Sequence, residues 1–278
     1  MGFVGVEDIP TTAANDSPLD HAIALRDRDT YEMVRRAIEA GDVALNYQPV
    51  VRADRPEEIA FHEGLIRVLD ETGRTIPAKS FIDSIERTET GRRMDCIALQ
   101  HGLAALRDDP GLRISINMSA RSIGYAAWHR ILGHALDQTP TLGERLILEI
   151  TESSAMLMPE LVVSFMDELQ SRGVAFALDD FGSGYTAFRY FKDFFFDAVK
   201  IDGHFIRNIH EDSDNQVLTK ALVGLARHFE MMIVAENVES PEEAAYLLSI
   251  GIDCLQGYLY GAPSATALAP LLPESRSA

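Results

Sequence analysis

Membrane-length hydrophobic runs are absent from the sequence. Nowhere does an apolar stretch approach the roughly 18–20 residues that a spanning helix needs. Cysteine is scarce too. Cys96 and Cys254 are the only two and lie far apart in the chain, so a disulfide is not expected and a reducing, cytoplasmic setting is. The first residues, MGFVGVEDIP, carry neither a basic region nor a long apolar core, which argues against a secretory leader. Val6 breaks the myristoylation pattern. No His-Glu-x-x-His or Cys-x-x-Cys occurs, and the eight histidines are scattered, which leaves no zinc signature. No glycine-rich loop precedes a Lys-Ser/Thr pair, and Gly182-Ser183-Gly184 is not a nucleophile elbow. Basic residues are in the minority, 25 against 43 acidic ones for a net charge of −18. Such a surface repels nucleic acid and anionic lipid, so neither DNA or RNA nor a membrane is expected as a partner. A phosphate compound would have to be drawn in locally, by metal ions and a few basic side chains.

What is present is alternation. Residues 1–24 lack periodicity and read as a flexible tail or linker, leaving 25–278 as one domain. Thr30 is positioned to cap a short helix with Tyr31, Val34 and Ile38 on one face, closed by Gly41. Strands are expected over Val43–Val51, Ile59–Val68, Arg113–Ser119, Arg145–Ile150, Val174–Leu178, Ala198–Ile201, Met232–Ala235 and Cys254–Leu259. Helices are expected over 80–88, 92–106 and 127–137, and from Pro159 to Gly173. Another is marked by an inner face of Val217, Leu218, Ala221, Leu222, Leu225 and Phe229, and a last one is capped by Ser240 and Glu243 and stops at Gly251. Eight strands with helices between most of them point to an α/β fold, a closed (β/α)8 barrel, with an open doubly wound sheet as the alternative.

The strand ends are the informative places. Val174–Leu178 runs into Asp179 and Asp180, and two adjacent carboxylates at the end of a buried strand are costly unless a cation compensates them. Glu63 interrupts the second strand and Asn117 ends the third. Glu149 and Glu152 follow at the fourth, Lys200 and Asp202 at the sixth, Glu236 and Glu239 at the seventh, and Gln256 lies in the eighth. In a barrel these ends share one mouth. The donors are oxygen throughout, which selects Mg²⁺ or Mn²⁺, and Asp179, Asp180 and Glu236 carry charge enough for two ions. Lys200 reads as their counter-ion or as a group that orients a nucleophile, two compatible roles. His62 points away from Glu63 across the strand and reads as packing. Phe194-Phe195-Phe196 reads as a packing plug.

Together these residues spell a known register. Tyr47-Gln48-Pro49, Glu63-Gly64-Leu65-Ile66-Arg67, Asn117-Met118-Ser119 and Leu148-Glu149-Ile150-Thr151-Glu152-Ser153 occur in order. They are followed by Asp179-Asp180-Phe181-Gly182-Ser183-Gly184-Tyr185, Val199-Lys200-Ile201-Asp202, Val234-Ala235-Glu236-Asn237-Val238-Glu239 and Gln256-Gly257-Tyr258. The chain resembles the EAL domain, the bacterial cyclic di-GMP phosphodiesterase, over residues 30–263. The resemblance implies a modified TIM barrel with its first strand antiparallel, and hydrolysis of cyclic di-GMP to linear 5′-pGpG. It implies one metal ion on Glu63, Asn117, Glu149 and Asp179, and a second on Asp179 and Asp180 with Glu236 close by as general base. Lys200 would contact the attacking water. Gln48, Leu65, Arg67 and Gln256 would form the substrate site, with Arg67 on a phosphate. Glu152 would anchor the loop that carries Gly182, Ser183 and Gly184. A homodimer, and fusion to an upstream sensory module, are further implications.

Two departures from the family pattern stand out. Gly64 replaces the usual alanine, and Ala187 follows Thr186 where serines are frequent. No expected ligand is absent. A receptor that binds cyclic di-GMP without cleaving it is the alternative.

Overall fold

The computed structural model describes residues 18–70, 72–183 and 191–267, with side chains from residue 28 onward. Helix α1 (Pro18–Ala40) leads into strands β1 (Val43–Arg52), β2 (Ile59–Leu69) and the short β3 (Thr75–Pro77). There follow α2 (Ile82–Ile85), α3 (Glu89–Asp108), β4 (Ile114–Asn117), α4 (Ala126–Gln138) and β5 (Leu146–Thr151). Next come α5 (Glu152–Ala155), α6 (Pro159–Gln170), β6 (Ala175–Phe181), β7 (Ala198–Ile201) and α7 (Gly203–Ile206). The last are α8 (Ser213–His228), β8 (Met232–Ala235), α9 (Pro241–Ile250) and β9 (Cys254–Gln256).

The sheet closes on itself. Its strand order is β1-β9-β8-β7-β6-β5-β4-β2-β3, and β1 also pairs with β2, so the ring is complete, with β3 pairing to the end of β2 (Arg67–Leu69) beyond the stretch that pairs with β4. That pairing excludes the open sheet. Strand β1 is antiparallel to both neighbours, β2 and β9, while the ladders from β2 through β4 to β9 are parallel. The fold is the modified barrel that the resemblance implied.

The interior is layered by strand alternation. Val50, Phe61, Ile147, Ala177, Ala198, Val234 and Cys254 form one apolar cluster inside the barrel. In a strand, residues two apart share a face. One step further toward the mouth from those seven therefore stand Gln48, Glu63, Glu149, Asp179, Lys200, Glu236 and Gln256. Only in β1 does the polar residue precede the apolar one in sequence, as its reversed direction requires. Outside the ring, the helices bury Leu99, Leu103, Trp128, Phe165 and Val223 against the strands' outer faces.

Several helix signals act as expected. Ser240 and Glu243 make a reciprocal capping box on α9, and Gly251 ends it at φ 90°. Gly41, at φ 79°, follows α1. The start of α1 differs. Pro18 sits at a first helical position, and the good helix formers after it carry the helix straight through Thr30. Residues 18–24 thus belong to the helix, and 1–17 lie outside the described residues.

The face of α8 matches expectation in part, with Leu222, Leu225 and Phe229 half-buried against the core, and otherwise differs. Its buried residues are Thr219, Val223 and Ala226, while Val217 and Leu218 are 68% and 49% exposed. The apolar residues here exceed one stripe, and packing selects the stripe about one position away from the richest one. Phe194 and Phe196 are buried as a plug, but Phe195 is exposed. No helix among the described residues is long and apolar enough to cross a membrane.

Gly64 sits where Ile116 already fills the space. A Cβ there would lie 2.7 Å from Ile116 Cδ1 and 3.0 Å from Leu45 Cδ2. Alanine would regain about 0.5–1 kcal/mol of strand backbone entropy, but only if Ile116 rearranges. Denaturant unfolding of G64A should therefore show little gain, and G64A/I116V should recover more than the sum of the single changes.

Candidate active site

The double aspartate is presented by a bulge. Along β6 and β7 the pairing steps from Leu178–Val199 to Phe181–Ile201, so Asp179 and Asp180 together oppose Lys200. Asp180 adopts φ 55°, a left-handed backbone that aspartate tolerates better than most residues. In a regular strand the two carboxylates would point to opposite faces. The extra residue turns both toward the mouth, where oxygen atoms of Asp179, Asp180 and Glu236 come within 4.8 Å of one another.

Lys200, 1% exposed, stands at the centre of the ring. Its Nζ lies 2.7 Å from Glu236 Oε1, 3.0 Å from both Glu63 Oε2 and Glu149 Oε2, and 3.4 Å from Asp179 Oδ1. Burial would pull its pKa down, but Asp179, Glu149, Glu236 and Glu63 outweigh burial and hold it well above the ordinary value. The counter-ion reading is realised in these contacts. One ammonium among four carboxylates leaves charge uncompensated. Burial, reinforced by Asp179 and Glu63, pushes Glu236 up to about 8, and burial with Asp179 and Asp202 pushes Asp180 up to about 6. Glu149 is driven well above the carboxylate range by burial and by Glu63. Glu63 goes the other way. Burial would raise it, but Lys200, Gln256 and Asn117 together hold it low.

The amides complete the ring. Asn117 Nδ2 donates to Glu63 Oε1 at 2.8 Å, and Gln256 Nε2 donates to Glu63 Oε2 at 2.6 Å. Gln256 also reaches Gln48 Oε1 at 3.2 Å, and Gln48 donates to the Gly261 carbonyl at 3.1 Å. Among the described residues, Glu149 Oε1 and Gln256 Oε1 are buried without a hydrogen-bond partner. Orphaned buried oxygens within an oxygen-only donor set fit a hard divalent cation.

A cavity of about 430 Å³ opens beside the ring, lined by Glu63, Leu65, Asn117, Asp179 and Asp180 and by Lys79, Asp83, Glu86 and Asp95 on its far wall. Arg67, on the same face of β2 as Glu63 and Leu65, is 9% exposed and donates to the Ile66 carbonyl at 2.9 Å. Glu152 Oε2 accepts from Gly182 N at 3.0 Å. Gly182, at φ 94°, has Phe205 2.8 Å from where a Cβ would stand, so the turn requires glycine. Ser183 Oγ donates to the Asp180 carbonyl at 2.7 Å. Gly184 and the Thr186-Ala187 pair lie outside the described residues.

Some rim residues serve otherwise. Asp202 caps α7 through His204 N, and the Glu239 side chain is exposed outside the ring. Sequence reasoning passed over Asp95. Its only signal was an acid within the buried stripe of α3, between Met94 and Ala98. Burial pushes it up to about 7.

The raised carboxylates have a consequence for stability. Folded, Glu236 keeps its proton up to about pH 8 against an ordinary 4.5, and Asp180 up to about 6 against 3.8. The folded state thus binds more protons than the unfolded state across this window, and stability falls as pH rises through it. Thermal melting in EDTA should show a falling Tm between pH 5 and 8. A rising Tm would contradict these assignments.

A closed ring with one reversed strand and an acid-lined mouth defines an oxygen-donor barrel site of one recognisable kind. The chain belongs to the EAL domain family, whose model matches residues 31–263. It is 32% identical over 236 residues to the cyclic di-GMP phosphodiesterase PdeF of Escherichia coli, covering 83% of this chain and 31% of that protein. The chain thus spans under a third of that relative. The solved structure of the PaMucR phosphodiesterase in complex with c-di-GMP is 30% identical, with TM-score 0.76, covering 85% of this chain and 97% of that one. The FimX EAL domain of Pseudomonas aeruginosa, solved with c-di-GMP, shares the fold at TM-score 0.78 and 22% identity, covering 87% and 98% of the two chains.

Proposed function

We propose that this chain hydrolyses one phosphodiester bond of cyclic di-GMP to give linear 5′-pGpG. The observation that carries the reading is the convergence of Glu63, Asn117, Glu149, Asp179, Asp180 and Glu236 around Lys200 at one barrel mouth, in a chain of this family. The cofactors are two Mg²⁺ or Mn²⁺ ions. Glu63, Asn117, Glu149 and Asp179 would hold one, and Asp179 and Asp180, with Glu236 beside them, would hold the other. Bound there, the ions supply Lewis acidity toward phosphoryl oxygen and make water a better nucleophile.

The chain's own groups do the rest. Glu236 accepts the proton of the attacking water as the new O–P bond forms. The P–O bond to the 3′-oxygen breaks in line, and that oxygen takes a proton from solvent. Lys200, 2.7 Å from Glu236 Oε1, orients the water and favours the ionised base, pulling against the burial that raises Glu236. Arg67 meets a phosphate, supplying positive charge beside an acidic rim. Leu65 packs against the nucleotide, and Gln48 and Gln256 fix the Glu63 side of the site. Glu152 holds the turn at Gly182 so that Asp180 stays in place.

Buried free thiols at Cys96 and Cys254 support a cytoplasmic setting. Leu157 and Met158, 51% and 57% exposed between α5 and α6, offer an apolar surface for the homodimer. An upstream sensory module remains part of the proposal, since PdeF is much longer than this chain.

Incubation with cyclic di-GMP and Mn²⁺, resolved by chromatography, tests the reading. Linear pGpG that disappears with EDTA is expected. Tight nucleotide binding without product from folded, metal-loaded protein would make the chain a receptor.

A further inference from the structure

The strand that delivers Asn117 is short. Strand β4 has four residues, and Asn117 is its last. Its Nδ2 is committed to Glu63, which leaves the amide oxygen for a cation only if the backbone behind it is held. That backbone, 118–122, is gripped from several sides. Met118 N donates to the Glu149 carbonyl at 2.9 Å, and Ala120 N donates to Ser154 Oγ at 2.8 Å. From α3, Asp95 Oδ2 accepts both Ser119 N at 3.1 Å and Ser122 Oγ at 2.5 Å.

We infer that Asp95 is a positioning residue for Asn117, fixing the turn after β4 so that the Asn117 amide oxygen faces the cation. The inference rests on the reading of Asn117 as a metal ligand. An acid at this place is costly, since it is half-buried close to Glu86 and to a ring already rich in carboxylates. A charged acceptor compensates by taking two donors at once in short, charge-assisted bonds. Neither the Ser119 N–H nor the Ser122 hydroxyl would keep that acceptor in its absence. Groups that orient a metal ligand from behind affect affinity strongly when removed, by about 10–100-fold.

Calorimetry of the metal-free full chain with Mn²⁺, on wild type, D95A, D95N, N117A and D95A/N117A, tests this. Melting in EDTA runs alongside to read fold stability separately. D95A should weaken Mn²⁺ binding about 10-fold or more, and D95N, which keeps one acceptor oxygen, by less. Because the effect travels through Asn117, the double variant should bind no more weakly than N117A alone. If D95A does not fold, D95N and D95N/N117A complete the same cycle. Mn²⁺ affinity within about twofold of wild type in the Asp95 variants, with N117A weakened, would overturn the inference alone. So would an undiminished Asp95 effect in the N117A background. Unchanged affinity in N117A would remove the ligand assignment itself, and the inference with it. A rise in KM with intact Mn²⁺ affinity would make Asp95 a substrate contact instead.

Discussion

Replacing Glu236 by Gln should lower kcat for cyclic di-GMP by about 10²–10⁴-fold, the range that a general base supplies. The amide keeps the shape and a hydrogen-bond acceptor for Lys200, which donates at 2.7 Å in the wild type, so fold and substrate binding should survive. Lys200 already balances more carboxylates than one, and removing a charge relieves repulsion in the ring. The melting temperature in EDTA should therefore hold or rise at pH 8, since burial pushes Glu236 up to about 8 and part of its charge is present there. Loss of turnover together with unimpaired stability is the signature. Turnover within about threefold of wild type would move the base to another group.

The second large effect falls on Lys200. Changing it to Met removes the cation that Glu63, Glu149, Asp179 and Glu236 share at 2.7–3.4 Å. Deleting one partner of a buried pair leaves uncompensated charge and costs about 3–5 kcal/mol. In EDTA at neutral pH, K200M should unfold at markedly lower denaturant. Two conditions should restore it. Acidification protonates the carboxylates, and Mn²⁺ supplies positive charge in place of the ammonium. Full stability restored by Mn²⁺ with turnover still depressed would assign Lys200 both roles, counter-ion and orienting group. Metal-free K200M as stable as wild type would remove the counter-ion role.

How much of this was legible in the sequence depended on whether a residue's role followed from its own strand. Glu63, Glu149, Lys200, Glu236 and Gln256 each stand two residues from an inward apolar position, so strand period and a barrel sufficed to bring them together. Asp179 and Asp180 were visible as a pair, but their shared direction was not. It comes from the bulge and the φ of 55° at Asp180, a matter of register between two strands that no single stretch encodes. The reversal of β1 was carried by family resemblance alone, because a strand's residues do not state its direction. Asp95 was missed for a similar reason. Its partners Ser119 and Ser122 come from a turn 24 and 27 residues away, and within its helix it looked like one acid among many. On α8, local periodicity favoured Val217 and Leu218, and the neighbouring elements chose Thr219, Val223 and Ala226.

Anomalous diffraction from crystals grown with Mn²⁺ tests the central claim most directly. Two peaks are expected at the barrel mouth, one against Glu63, Asn117, Glu149 and Asp179, the other against Asp179 and Asp180 beside Glu236. Lys200 is expected to remain in contact with Glu236. A saturating Mn²⁺ soak that leaves the mouth without a peak, with Lys200 still holding all four carboxylates, would contradict the account.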